Sequence, residues 1–251
     1  MAKENRVGVS IRRTADEVKN YRKWMRLIPI AIGIAILLLI TGYVISVLYM
    51  RYGAFTVSVN KFDHNNYALT LSDSIDFDSK TSRLNAEISE TVTNIDGERD
   101  LPDGLDNIDG EHNGENYVAY TFYCSNRGKK TLTYEYEMYI ANMTYEIEKA
   151  VRVRLYVEDP KDKSSKTVVT YAYPRTDGVD GPEPGTVAFK SGKIITNDQV
   201  ANFKPGDTTK FTVVIWLEGP DPDCVDKILG GKFKIDMEIN VLSAGDNEDK
   251  A

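Results

Sequence analysis

Twenty-four consecutive residues, 27–50, carry no charge and are bounded by Arg26 and Arg51. Coiled as a helix, such a run reaches about 36 Å at about 1.5 Å per residue, which exceeds the about 30 Å hydrocarbon core of a bilayer. No other segment of the chain approaches it. The run therefore divides the sequence into a basic tail with a juxtamembrane helix (1–26), a transmembrane helix (27–50), an outer domain (51–242) and a polar tail expected to be disordered (243–251).

Charge orients the span. Residues 1–26 hold eight Lys/Arg against three Asp/Glu, a net +5, and the whole chain is −7, so the remainder carries −12. Basic residues flanking a span stay in the cytoplasm, which places the N-terminus inside and the acidic portion outside. A cleaved signal peptide has an apolar stretch of about 7–15 residues and a small-residue cleavage site. Here the run is longer, and Val47, Leu48, Tyr49 and Met50 are bulky where small residues would be needed. An uncleaved anchor in the cell membrane is the expectation, with the lipid bilayer as partner of residues 27–50. Thr14 and Glu17 have capping-box spacing, Trp24, Tyr49 and Tyr52 stand where interfacial aromatics belong, and Pro29 is positioned to kink the helix as it enters lipid.

About 200 residues follow the span, enough for one sizeable core. Alternating apolar residues mark seven strands: 54–59, 117–124, 132–140, 151–157, 167–173, 210–217 and 232–241. In the third, Leu132, Tyr134, Tyr136, Met138 and Ile140 share a face. In the last, Phe233, Ile235, Met237, Ile239 and Val241 do so. The turn at 125–128 contains Gly128 and predicts an antiparallel hairpin between the second and third strands. Arg152 and Arg154 are expected on a wet face, and 210–217, the most apolar run, as a central strand. Short helical turns are predicted at 144–149 and at 223–229, the latter capped by Asp223. Strand number and spacing predict an all-β extracytoplasmic sandwich, antiparallel and Ig-like or jelly-roll-like. The stretches 93–116, with eight acidic residues, and 174–193 are expected as long surface loops.

Chemistry-bearing motifs are sparse. The two histidines, His64 and His112, fit no zinc-protease spacing, and no nucleophile elbow or phosphate-binding loop occurs. The expectation is a non-catalytic protein; a hydrolase would have to recruit His112. Asp103, Asp106, Asp109 and Glu111, with Asp100 nearby, offer closely spaced oxygen ligands suited to Ca²⁺ but do not follow the EF-hand pattern. A solvated acidic loop is the simpler reading, and it applies equally to Asp221, Asp223 and Asp226. Cys124 and Cys224, both beyond the span, admit a disulfide closing a loop of about 100 residues and equally admit two free thiols. Asn142-Met143-Thr144 is a glycosylation sequon of use only in a eukaryotic secretory route. Net acidity argues against nucleic acid.

Residues 214–231 combine a strand ending in Trp216, a Gly/Pro corner and the pair Gly230-Gly231. They read as a structural corner that staples two strands. With 117–123 and 150–156, this pattern resembles uncharacterised surface proteins of Firmicutes and, more distantly, the camelysin/TasA group. That resemblance implies one β-sandwich behind an N-terminal apolar signal. It further implies assembly into matrix fibres by strand donation in the TasA-like branch, and a metalloprotease label in the camelysin-like branch. The longer basic tail and uncleaved span depart from that group. The expected function is a membrane-anchored surface protein with a structural, adhesive or assembly role, self-associating or meeting a protein partner through exposed sheet edges. A tethered module that binds Ca²⁺ or another ligand is the alternative.

Overall fold

The computed structural model describes residues 25, 27–44, 55–59, 69–78, 83–86, 93–175, 178–179 and 181–244. The capping box at Thr14, the aromatics Trp24, Tyr49 and Tyr52, His64 and the final residues of the polar tail lie outside them. The chain forms two compact units, residues 1–51 and 52–251.

In the first unit, α1 (Leu27–Val44) is long and apolar enough to cross a membrane. Near the N-terminus, such a helix serves as a membrane anchor or as a signal sequence. Pro29 lies within α1 without interrupting it. Thr41 donates its hydroxyl to the Leu37 carbonyl at 2.6 Å, which satisfies the polar side chain within the helix itself.

The second unit is mostly β-structure in two sheets. The first contains β1 (Phe55–Val59), β3 (Arg83–Ala86), β6 (Leu132–Met143), β10 (Ile194–Phe203) and β12 (Phe233–Ala244), in the order β10-β6-β12-β1-β3. The second contains β2 (Leu69–Ser72), β4 (Gly110–Glu111), β5 (Tyr117–Asn126), β7 (Val151–Glu158), β8 (Lys166–Ala172), β9 (Val187–Ala188) and β11 (Thr208–Leu217). Its order is β2-β5-β11-β7-β8-β9, with β4 also on β5. The expected antiparallel character is corrected in two places, since β1 pairs parallel with β12 and β8 parallel with β9. Both sheets are mixed.

One core joins the sheets. Phe55 from the first stands 6.3 Å, ring to ring, from Phe122 of the second, and Tyr136 meets Phe211 edge-on at 5.2 Å. Tyr134, fully buried, donates to Thr209 Oγ1 at 2.8 Å across the same interface. Each such ring contributes about 1.5–3 kcal/mol through removal from water. The alternation anticipated for β6 holds from Leu132 to Ile140, and in β12 the fully buried Ile235, Met237 and Ile239 lie on the expected face.

The predicted hairpin between 117–124 and 132–140 does not form: β5 and β6 belong to different sheets, and the intervening turn crosses the core. Buried Asn126 explains this. Its side-chain amide donates to the carbonyls of Lys130 and Phe203, both at 2.9 Å, and its side-chain oxygen accepts from the Gly128 amide at 3.0 Å. That side chain takes the place of a hairpin ladder and ties the crossover to the end of β10.

The second sheet is also covered on its outer face. β5 is buried at every position from Val118 to Asn126. Residues 93–116 are not simply a surface loop. Leu105, within the 3-10 turn Leu105–Asn107, packs with Ala119, Val214 and Trp216 into a second small core. Gly97 lies flat on the Trp216 indole, where a Cβ would come within 2.5 Å of the ring. The expectation for Arg152 is corrected too: it is buried at 4 % exposure, against Asp221 and Glu183. Arg154 lies 5.1 Å above the Trp216 ring and donates to Thr170 Oγ1 at 3.0 Å.

The anticipated helical turns are 3-10 segments, Ile147–Lys149 and Asp226–Ile228. Val225, not Asp223, sits at the cap of the latter, without a side-chain capping bond. Both cysteines are free. Cys124 pairs with Thr209 at the start of β11, whereas Cys224 accepts from Asn94 beside Gly219, beyond that strand's far end. Ten residues of extended chain separate those places by about 30 Å, and a disulfide needs Cα atoms within about 7 Å.

Candidate functional site: the covered face and the open edge

The acidic carboxylates proposed to converge are parted. Asp103 is exposed, and Asp100 accepts from the Asp96 amide at 2.9 Å. Asp106, buried, pairs with Lys166 at 2.6 Å. Asp109 accepts from the Tyr123 hydroxyl and Glu111 from the Asn113 amide, each at 2.5 Å. Among the described residues no group of three or more His, Cys, Asp or Glu side chains is arranged to hold a metal. Two of these carboxylates, Asp106 and Asp109, fasten the covering segment to the sheet below it.

His112 lies in the turn entering β5. Its Nδ1 is 2.9 Å from the Gly110 carbonyl, which makes Nδ1 the donor, and the buried Nε2 has no partner among the described residues. Nearby, burial raises the Tyr120 phenol well above its ordinary value, with Asp73 and Glu111 adding to the shift. Tyr123 is raised for the same first reason and then by its bond to Asp109. These phenols are held protonated.

The corner after β11 is a structural staple, as its sequence implied, but the staple is ionic. Arg152 and Asp221 meet at 2.5 Å, with 5 % and 0 % of their side chains exposed. Glu183, carried by the 174–193 segment, approaches Arg152 at 3.8 Å and Arg175 at 3.9 Å. Asp221 also accepts from the Asp223 amide at 2.7 Å. The cluster balances two positive against two negative side chains and draws β7, the corner and the long segment together. Trp216 Nε1 donates to Glu218 at 2.7 Å on the adjoining strand end.

Two of the sheet edges, at β10 and at β8, differ in chemistry. Even-numbered residues of β10 face β6, so Ile195, Asn197 and Gln199 direct their backbone groups outward. Three of those groups are met locally. The Lys190 amide reaches the Ile195 carbonyl at 3.3 Å, Lys190 Nζ caps the Asn197 carbonyl, and the Gln199 amide donates to Asp198 Oδ1 at 2.7 Å. Register irregularities at both ends of β10 twist it further from a flat template. β10 is a guarded edge.

β8 is not guarded in this way. Phe189 N donates to the Ala172 carbonyl at 2.8 Å on the side away from β7. By the two-residue repeat of a strand, Lys166, Val168 and Thr170 also point their amides and carbonyls away from β7. β9 covers only Tyr171 and Ala172, and among the described residues no strand pairs with the outer side of 166–170. Val168 is 45 % exposed there, and Lys166 is held down by Asp106.

The sequence marked 167–173 as a strand but gave no sign of which side lacked a neighbour. That depends on β9 being only two residues long. No protein-family model matches the chain, and a comparison with curated proteins found no match.

Proposed function

We propose that this chain is a single-pass bacterial surface protein, N-terminus inside, whose outer β-sandwich, of Ig-like or jelly-roll kind, is non-catalytic and works by accepting a strand. The observation that carries this reading is the outer side of β8 at residues 166–170, unpaired among the described residues, in contrast to the partly capped edge of β10. An unpaired row of amides and carbonyls is a template for a further strand, from a second copy or from a partner. Of these two edges, β8 is the one left open for pairing. The resemblance to the TasA-like group supports assembly as the use of that edge. The reading of a calcium-binding module has less support, because Asp106, Asp109 and Glu111 each already have a partner.

Anchoring follows from α1 and the charge split across it, +5 before the apolar run and −12 from it onward. The test is fractionation of intact cells combined with external protease. The chain should stay with membranes in alkaline carbonate and lose its outer domain to protease added outside. Recovery of the intact chain in the medium, or complete protection of the domain, would discard this assignment.

A further inference from the structure

The open stretch of β8 is bounded at both ends. Before it, the β7–β8 turn closes through the Ser165 amide on the Asp162 carbonyl at 2.9 Å and the Asp159 amide on the Ser165 carbonyl at 3.0 Å. After it, β9 takes the outer side at Tyr171 and Ala172. Between these stops the outward backbone groups belong to Lys166, Val168 and Thr170. An incoming strand has to fit that short span, and a β8 bounded by the same turn and the same short neighbour has the length to do so.

Register points to a second copy of this chain as the occupant. Laid antiparallel with Val168 opposite its own counterpart, the segment sets Lys166 against Thr170 of the second copy and Thr167 against Val169. Every outward-facing residue then meets an outward-facing residue, and the three pairs exchange about six backbone bonds. Slipping by one residue sets outward groups against inward ones, and slipping by two leaves about four bonds. The centred register brings β-branched side chains together and places no like charges directly opposite, the combination that favours strand pairs.

Charge selects the same edge. The chain carries −12 beyond its basic tail, so two copies repel through most surfaces that face each other. From Ser164 to Tyr173, Lys166 is the only charged residue, and Asp106 of its own chain neutralises it at 2.6 Å. Exposed Val168, at the centre of the span, would be covered by its counterpart. We propose that β8 pairs antiparallel with β8 of a second copy about a two-fold axis centred on Val168. This inference rests on the strand-accepting reading above. Such a contact is isologous: it occupies the open edge of both copies, so it ends at a dimer and does not by itself extend into a fibre.

The test uses the full chain in membrane vesicles, with Cys224→Ser removing the accessible thiol and one new cysteine at Val168→Cys, Lys166→Cys or Thr170→Cys. Residues directly opposite in a hydrogen-bonded pair have Cα atoms about 5.5 Å apart, within disulfide reach, whereas the two copies of residue 166, or of residue 170, would lie about 14 Å apart. Copper phenanthroline should therefore give at least about fivefold more cross-linked dimer with Val168→Cys than with either flanking cysteine alone. Co-expressing Lys166→Cys with Thr170→Cys should restore the cross-link, which also shows that both variants fold. Equal cross-linking at all three positions, or none, overturns the two-fold pair. In that event a fluorescent peptide of residues 164–172 separates the two readings. Its capture by the wild-type chain and not by Val168→Pro leaves strand acceptance standing without the dimer, and failure to capture it overturns both.

Discussion

Arg152 and Asp221 meet at 2.5 Å in the interior, 69 residues apart in sequence, and each is almost wholly removed from water. Removing one partner leaves a buried charge without its counter-ion, so Arg152→Ala and Asp221→Ala should each cost about 3–5 kcal/mol. The double change Arg152→Met with Asp221→Leu should cost less than either single change, because no orphan charge remains. Urea denaturation of the four proteins measures this; additive losses would mean that the pair does not act as a unit.

Two free thiols should be found in the oxidised, purified chain. Burial pushes the Cys124 thiol far above its ordinary value, leaving it as the unreactive neutral form. Cys224 is only partly buried. Under native conditions a thiol reagent should label Cys224 first, and in denaturant both should react. Mobility on a denaturing gel should be the same with and without reductant, and a reductant-dependent shift of the monomer band would contradict the geometry.

The phenols supply a pH dependence at the alkaline end. Burial raises Tyr120, Tyr123, Tyr134 and Tyr136 far above their usual value, and raises Tyr139 to about 12, with Glu238 contributing. The folded state thus holds these protons more tightly than the unfolded state. Their contribution is complete below the unfolded value of about 10 and is lost as pH rises beyond it. Thermal stability should fall steeply above about pH 10. Tyr120→Phe should reduce the drop between neutral and strongly alkaline solution; an unchanged drop would remove Tyr120 from the account.

Proline separates the two sides of β8. Val168 points its amide outward and Val169 toward β7, so Val168→Pro sacrifices no internal bond while Val169→Pro breaks the ladder. Val169→Pro should cost about 3 kcal/mol and Val168→Pro about 1 or less. Strand addition at this edge predicts that Val168→Pro weakens self-association or partner capture at least about tenfold, since each 1.4 kcal/mol of lost pairing is a factor of ten. Unaltered association in Val168→Pro would move the binding surface elsewhere.

Much of the β-structure could be read directly because its faces differ in polarity. Leu132 to Ile140 alternates and is buried on alternate residues, since one side of β6 faces the core and the other does not. Arg152 misled for the same reason. Alternation placed it outside, and there it meets Asp221 and Glu183, carboxylates distant in sequence that bury it. The hairpin expectation failed on a single side chain, Asn126, which holds its own turn through Gly128 and Lys130 and also bonds Phe203, 77 residues away, a partner a local reading does not connect. β10 was overlooked because Asn197, Asp198 and Gln199 interrupt its apolar pattern, and all three take part in capping its edge. Acidic spacing suggested shared ligands for Asp106, Asp109 and Glu111. For Asp106 and Asp109 the partner, Lys166 or Tyr123, is a property of the sheet and not of the loop.

The parallel ladder between β1 and β12 carries a consequence for biogenesis. Phe55 finds its neighbour in Ile235, 180 residues later. Loop closure over such a separation is slow and earns nothing until the ladder forms. A chain threaded outward behind its own N-terminal helix would therefore present its first strand incomplete until almost everything else has emerged. The domain would remain extended enough to pass a narrow conduit, then lock at the step that joins its two ends.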